Sequence, residues 1–233
     1  MSMIKNVGII DYGCGNIHSL KCALEKIGCK VTFINHNKED VKVDALFLPG
    51  VGAFDIAMKK IKSKNLDVLV QSESKKGKLI FGICLGMQLL VSEGVENSIQ
   101  SGLNLINGDT YKLKFKNNEK NINIGWKNTE FIEENFLKEF NDEKFYYVHS
   151  YAVKTKDENI HSYSKFNNQK FISSITKNNI VGFQFHPEKS GELGLNLIEF
   201  VLKAHSWIKI FHYLECQKQL SFAKNALFLI RDH

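Results

Sequence analysis

The sequence predicts an α/β fold: one domain built on a central, mostly parallel sheet flanked by helices. Three observations carry this. The first third alternates short apolar, β-rich runs with stretches of helical periodicity, which is the pattern of βαβ units. The second half is richer in strand-like runs. No internal repeat, low-complexity linker or composition shift divides the 233 residues, a length that one core can still fill.

In order along the chain, Val7 to Ile10 reads as a first strand, and Asp11-Tyr12-Gly13-Cys14-Gly15-Asn16 is turn chemistry. Ile17, Leu20, Leu24 and Ile27 then recur at helical spacing until Gly28 stops the helix. Val31 to Ile34 and Ala45 to Leu48 read as the next strands, the latter ended by Pro49-Gly50. A helix is expected from about Phe54 to Ser72, a fourth strand from Leu79 to Ile83, and then a helix-like stretch ending near Gly94. Further strand candidates are Thr110 to Phe115, Ile122 to Gly125, Phe145 to Val148, Phe171 to Ile175 and Ile180 to Phe185. A closing helix is expected near Gly191, carrying Leu193, Leu197, Phe200 and Val201. Residues 204–233 carry Trp207, Phe211, Leu214, Ala223, Ala226, Leu227 and Ile230, mostly at helical spacing. They read as a helical extension of unknown role appended to a domain over 4–203. Packing on the domain, touching a partner and having no consequence all stay open for it.

Composition narrows the function classes. Hydrophobic residues at 43% and charged residues at 24% are ordinary for a globular chain that buries a core without staples. The net charge of +6 comes from scattered Lys, and the densest run, Ser74-Lys75-Lys76-Gly77-Lys78, is short. Scattered charge is a solvated surface, which argues against nucleic acid while leaving an acidic partner surface open. Five cysteines (Cys14, Cys22, Cys29, Cys84, Cys216) form no C-x-x-C pair, against both a disulfide framework and a structural zinc site. Met1 to Lys5 shows no signal-peptide pattern, and no apolar stretch approaches the ~20 residues of a membrane span. A reducing cytoplasm is the expected compartment.

The chemistry concentrates in three places. Gly82-Ile83-Cys84-Leu85-Gly86 follows an apolar run and precedes a helix-like one. Such a small-x-nucleophile-x-small turn is a nucleophile elbow: its glycines let backbone pack closely around a strained residue that projects into a cleft. A helix N-terminus behind the sulfur favours the thiolate form. Alone, a free cysteine is more often a buried small hydrophobe. The second place is Gly182-Phe183-Gln184-Phe185-His186-Pro187-Glu188-Lys189-Ser190. On extended backbone His186 and Glu188 project to one side, a base and the carboxylate that orients it; the bland alternative is a surface corner. The third is Leu48-Pro49-Gly50-Val51-Gly52-Ala53-Phe54, a glycine-flanked loop able to aim an N–H at a developing oxyanion, with the N–H of Leu85 as a second donor. By itself it is an ordinary strand-to-helix turn. The only two prolines, Pro49 and Pro187, both fall in these loops.

Together, Cys84 in GICLGMQ, FQFHPEKS at 183–190, LPGVGAF at 48–54 and DYGCGN at 11–16 resemble the class I glutamine amidotransferases. Among these they most resemble the glutaminase subunits of imidazole glycerol phosphate synthase, an enzyme of histidine biosynthesis, as does Phe145-Tyr146-Tyr147-Val148-His149-Ser150-Tyr151. The resemblance covers roughly 4–203. It implies the single-domain fold of that family, with antiparallel strands added to the parallel sheet, and no cofactor or metal. It also implies Cys84 as nucleophile, His186 as base and Glu188 as its orienter. Gln88, with the backbone around His149, Ser150 and Tyr151, would hold glutamine, while Val51, Gly52 and Leu85 line the oxyanion hole. Ammonia would pass to a (βα)8-barrel cyclase subunit in a heterodimer, with Asn16, Gly125, Trp126 and Lys189 at the partner face.

One stretch departs from the family's pattern. Where Pro-His-Met-Gly-Trp-Asn is usual at the face that meets the cyclase, the chain reads Ile122-Asn123-Ile124-Gly125-Trp126-Lys127. The nucleophile and its helpers are untouched, and partner identity is what the departure bears on. A paralogue feeding a different barrel synthase, such as one that modifies a surface sugar, fits equally well. Two other classes are a non-catalytic scaffold, whose usual mark is loss of Cys, His or Glu, and a stand-alone cysteine hydrolase of similar fold. His18 reads as a packed or solvated helix residue, and His36, His161, His205, His212 and His233 show no metal spacing. Cys14, Cys22 and Cys29 read as core or near-surface fillers.

Overall fold

A computed structural model describes residues 4–37, 41–115, 121–132 and 136–205. The chain runs β1 (Asn6–Ile10), α1 (Ile17–Lys26), β2 (Lys30–Ile34), β3 (Ala45–Leu48), α2 (Phe54–Ser63), α3 (Leu66–Lys75), β4 (Leu79–Ile83) and α4 (Leu85–Leu89). It continues with β5 (Val91–Gly94), β6 (Gln100–Ser101), β7 (Ile106–Lys112), β8 (Asn123–Phe131), β9 (Glu143–His149) and β10 (Tyr151–Thr155). Last come β11 (Ile160–Phe166), β12 (Gln169–Lys177), β13 (Ile180–Phe183) and a helix, α5, over 191–205.

The large sheet has nine strands in the order β2-β1-β3-β4-β13-β12-β11-β8-β9. Its first five are mutually parallel, and the remaining four extend it antiparallel. A second sheet is ordered β10-β7-β5-β6. β3 and β4 are buried at every residue, so their continuous apolar runs are what a strand covered on both faces requires. One face packs Val7, Ile9, Phe47 and Phe81 under Leu20 and Leu24 of α1 and Leu197 and Val201 of α5. The other packs Ile10, Leu46 and Ile80 under Met58 and Ile61 of α2 and Leu69 and Val70 of α3. Helices thus cover both sides of the parallel half.

This arrangement positions the site. In parallel strands every C-terminal end lies on the same edge, where α/β sheets place their ligands. The turn 11–16 follows β1, the loop 49–53 follows β3, the cysteine elbow follows β4 and the His-Pro-Glu turn follows β13. These four strands are consecutive neighbours in the sheet. Motifs scattered over 180 residues therefore form one contiguous rim.

Several expectations are corrected. The helix expected from Phe54 to Ser72 is two helices, because Asn65 takes a left-handed conformation (φ 54°) between α2 and α3; Asn tolerates that region better than most residues. The stretch toward Gly94 is helical only to Leu89. From Val91 the backbone leaves the helix to pair with β7, Val91 opposite Ile106. The strand placed at Thr110 to Phe115 is Ile106–Lys112, and the one ending at Phe185 stops at Phe183. β5, β6, β10 and β11 were not anticipated. Helix α5 reaches residue 205, and the rest of the proposed extension, with Cys216, His212 and His233, lies outside the described residues.

Candidate active site

Cys84 holds a positive φ of 54° with ψ −110° between β4 and α4. A non-glycine residue there stores strain, and the surroundings must over-determine it. They do so here. The Cys84 N–H bonds to the Phe183 carbonyl at 2.7 Å, and its own carbonyl accepts from the Gln88 N–H at 3.2 Å. Gly86 has no room for a side chain, since a Cβ would collide with the Leu48 carbonyl oxygen; a Cβ on Gly82 would lie 2.8 Å from the Gly86 oxygen. The elbow is packed backbone to backbone, and Cys84, 4% exposed, borders the cleft together with Leu85.

His186 sits on the adjacent strand's end. Its N–H bonds to the Tyr146 carbonyl at 2.8 Å. Its carbonyl accepts from Ser190 Oγ at 2.7 Å, and Ser190 Oγ in turn accepts from the Tyr146 N–H at 3.0 Å. The ring is thus held through its backbone by β9 on both sides. Nδ1 lies 2.8 Å from Glu188 Oε1. The approach is not the extended one expected from the two-residue spacing. Pro187–Lys189 is a 3-10 turn, and that turn swings the carboxylate back under the ring. His186 Nε2 is buried with no hydrogen-bond partner among the described residues, and the Cys84 thiol meanwhile donates to the Val148 carbonyl at 3.5 Å. Burial opposes a charged imidazole, but the Cys84 sulfur and the Glu188 carboxylate outweigh it and push the ring up to about 10.

A cleft of about 370 Å³ opens over the sulfur. Val51, Gly52, Leu85, Gln88, His149, Ser150 and Tyr151, the residues expected to hold substrate or line an oxyanion hole, all border it with Cys84. Leu85 is the first residue of α4, so its N–H has no partner within the helix. The 49–53 loop is braced by Tyr12, whose hydroxyl donates to the Pro49 carbonyl at 2.8 Å. A Cβ on Gly50 would meet that hydroxyl, Leu85 Cβ and the Gly86 nitrogen, all within 3 Å. Gly52 takes φ 108°, a conformation that needs glycine. Gln88 donates to the Tyr151 carbonyl at 2.8 Å, as does His149 Nδ1 at the same distance. Burial pulls the His149 ring down to about 4 against that hydrogen bond, and the charges of His186 and Lys127 add to the effect.

Sequence reasoning missed Glu96, which borders the cleft from the loop after β5. Its Oε2 accepts from the Phe54 N–H, the first residue of α2, at 2.9 Å. Burial lifts its carboxyl above the ordinary range against that hydrogen bond. An isolated acidic residue in a turn offered no pattern by which to find it.

The residues expected at a partner face divide. Asn16 and Lys189 are exposed, and Asn16 also caps α1 by accepting from the Ser19 N–H at 3.2 Å. Trp126 is 54% exposed and meets Tyr146 edge-on at 6.0 Å. Ile124 is 52% exposed, and Gly125 lies between them with φ 116°. Two departing positions behave otherwise. Asn123 is fully buried against His149, and Lys127 is half-buried, its Nζ 5.5 Å from the Phe166 ring centre. Strand alternation turns both inward while Ile124 and Trp126 face out. Of the four departures, Asn123 and Lys127 therefore lie behind the expected partner face, Ile124 lies on it in place of Met, and Ile122 borders the cleft. Among the described residues no group of three or more His, Cys, Asp or Glu could hold a metal ion, and no helix is long and apolar enough to cross a membrane.

Known proteins resemble this chain over most of its length. The family model described as glutamine amidotransferase class-I matches residues 8–203. The imidazole glycerol phosphate synthase subunit HisH of Lactococcus lactis is 37% identical over 203 residues, which is 86% of this chain and 99% of that protein. Subunit HisH 1 of Campylobacter jejuni strain RM1221 is 41% identical over 197 residues, 83% of this chain and 97% of that protein. Among solved structures, that of PurLQS from Thermotoga maritima aligns with a TM-score of 0.66 at 20% identity, over 86% of this chain and 99% of that one, and so shares the fold.

Proposed function

Since the chain belongs to the class I glutamine amidotransferases, we propose that it is the glutaminase subunit of an imidazole glycerol phosphate synthase. It hydrolyses glutamine to glutamate and ammonia and passes the ammonia to a (βα)8-barrel cyclase subunit in histidine biosynthesis, within the cytoplasm. The observation that carries the reading is that Cys84 and His186 follow the paired strands β4 and β13, with Glu188 bonded to the His186 ring, the Cys84 sulfur close enough to raise that ring, and the cleft opening over the sulfur. HisH relatives matched over most of both chains support the pathway.

The chemistry follows from the atoms present. Glutamine enters with its ammonium toward Glu96 and its carboxamide over the sulfur. The Cys84 proton passes to His186 Nε2, and the Glu188 carboxylate and the sulfur together hold the imidazolium, the form that the raised ring favours. Sγ bonds to the carboxamide carbon, and the N–H of Leu85 with one from the Val51–Gly52 peptide receives the oxyanion. His186 returns its proton to the departing nitrogen, the C–N bond breaks and ammonia leaves. Water then attacks the thioester, His186 takes a proton from it, the C–S bond breaks and glutamate is released. Apolar Ile124 and Trp126, with Asn16, Gly125 and Lys189, form the face that meets the cyclase. An oxyanion loop completed only on docking would keep the free subunit slow, so that glutamine is not wasted.

The test is reconstitution. The purified chain should hydrolyse glutamine slowly alone, and strongly faster with the cyclase subunit of the same genome and its ribulosyl substrate, forming imidazole glycerol phosphate. A second reading, a paralogous subunit feeding another barrel synthase, draws on Ile122, Asn123 and Lys127. It predicts intact glutaminase chemistry with no response to that cyclase.

A further inference from the structure

β8 passes the cleft with Asn123 turned inward and 0% exposed. Its carboxamide nitrogen lies 2.9 Å from His149 Nε2. The other ring nitrogen, Nδ1, lies 2.8 Å from the Tyr151 carbonyl. A carbonyl only accepts, so Nδ1 carries the proton and a neutral ring leaves Nε2 as a lone pair. Asn123 must therefore donate to it. That requirement fixes the orientation of the carboxamide and leaves Asn123 Oδ1 buried with no partner among the described residues. An apolar residue of the same size would remove that orphan but leave the buried His149 Nε2 without its donor, so Asn123 spends one acceptor to hold the ring.

The hydrogen bonds continue past His149. The Tyr151 carbonyl also accepts from Gln88 Nε2 at 2.8 Å, and the same nitrogen donates to Gln184 Oε1 at 3.0 Å. Gln184 Nε2 then approaches the Cys84 sulfur at 3.8 Å. His149, Gln88, Gln184 and Cys84 are each buried to 95% or more, so water offers no substitute for a missing link. We propose that Asn123 is a positioning residue for the glutaminase reaction: its donation to His149 fixes the Tyr151 carbonyl and, through Gln88 and Gln184, the placement of the Cys84 sulfur in the cleft. The inference rests on the reading of Cys84 as the glutaminase nucleophile. It gives the departure at position 123 a role in the chemistry of the site.

The full-length protein tests it, alone and with its barrel partner, in three variants. Asn123→Leu fills the space without a donor, Asn123→Asp keeps the shape but only accepts, and Asn123→His restores a ring N–H that donates. The first two should lower kcat for glutamine by about tenfold or more, the scale of a small misplacement at a reacting group. KM should change less than kcat, and Cys84 should be alkylated correspondingly more slowly by a glutamine-analogue diazoketone. Asn123→Leu, which leaves His149 Nε2 without a donor, should lower the thermal midpoint by about 2–12 °C and still be folded at the assay temperature, and Asn123→His should return kcat to within about threefold of the parent. Unchanged turnover and alkylation in Asn123→Leu would overturn the proposal, as would equal loss in all three variants. A parent chain that neither turns over glutamine nor is alkylated would instead remove the glutaminase reading beneath it.

Discussion

Gly82 and Gly182 stand opposite each other in the parallel register of β4 and β13. Two residues beyond the first lies Cys84, and four beyond the second lies His186. A Cβ on Gly182 would come within 2.8 Å of Met87 Cγ and 3.1 Å of Ile175 Cγ1. The close pairing of these strands under α4 is thus what sets sulfur and imidazole side by side. Adding bulk beneath the elbow should cost both stability and activity. Gly182→Val should lose about 1–3 kcal/mol in denaturant unfolding, the usual range for overpacking, with glutamine turnover falling further than stability. Normal turnover in a folded Gly182→Val protein would count against this role.

Strain at Cys84 gives a second prediction. Both Cys84→Ala and Cys84→Gly should abolish glutamine hydrolysis, since neither has a nucleophile. Their stabilities should differ, because glycine relieves the positive φ that alanine retains. The glycine variant should be the more stable by about 1 kcal/mol, read from urea midpoints. An alanine variant equal to or more stable than glycine would show the elbow unstrained.

The two buried histidines should shape the pH profile of stability in opposite ways. His186 is raised to about 10, so between the ordinary 6.5 and that value the folded state holds a proton the unfolded state has lost. Its contribution is complete below 6.5 and disappears as pH rises toward 10. His149 is lowered to about 4, so its contribution is present above 6.5 and disappears as pH falls toward 4. Removing His186 should flatten the alkaline limb, and removing His149 the acid limb, in urea midpoints collected across pH. Limbs unchanged in the two variants would rule the assignment out.

Glu96 should report on substrate binding rather than on the chemical step. Glu96→Gln removes the charge that the proposed pose sets against the substrate ammonium and should raise KM for glutamine by about 10- to 100-fold, the worth of a charged hydrogen bond. Alkylation of Cys84 by a small uncharged haloacetamide should continue at the parental rate. A fall in kcat with KM untouched would place Glu96 elsewhere in the mechanism.

Trp126 should govern assembly. Trp126→Ala should weaken association with the barrel subunit by about 2 kcal/mol, roughly 30-fold, as expected for a central aromatic anchor, while leaving the thermal midpoint near that of the parent. Isothermal titration of one subunit into the other measures it, and parental affinity would move the interface to another face.

The parallel half of the fold was readable because strands such as Ala45–Leu48 and Leu79–Ile83, covered on both sides, become uninterrupted apolar runs. The antiparallel half was harder for a physical reason. Ser162, Ser164, Ser173 and Ser174 are all buried to 99% or more, and Ser162 satisfies its hydroxyl 2.6 Å from those of Ser173 and Ser174. A core built from paired hydroxyls carries no hydrophobic period. Within the site, the elbow and the His-Pro-Glu turn announce themselves because glycine and proline mark required backbone. Glu96, Asn123 and Gln184 act through position alone, and position is a property of the sheet.

The last strand among the described residues, β13, is a middle strand in the sheet. While the polypeptide is still emerging from the ribosome, β4 therefore lacks its neighbour and β12 has no bridge to the parallel half. The cysteine meets its base only when about the last quarter of the chain arrives. Until then the nascent protein carries an unarmed thiol, and a prematurely terminated product is inert rather than a wasteful consumer of glutamine.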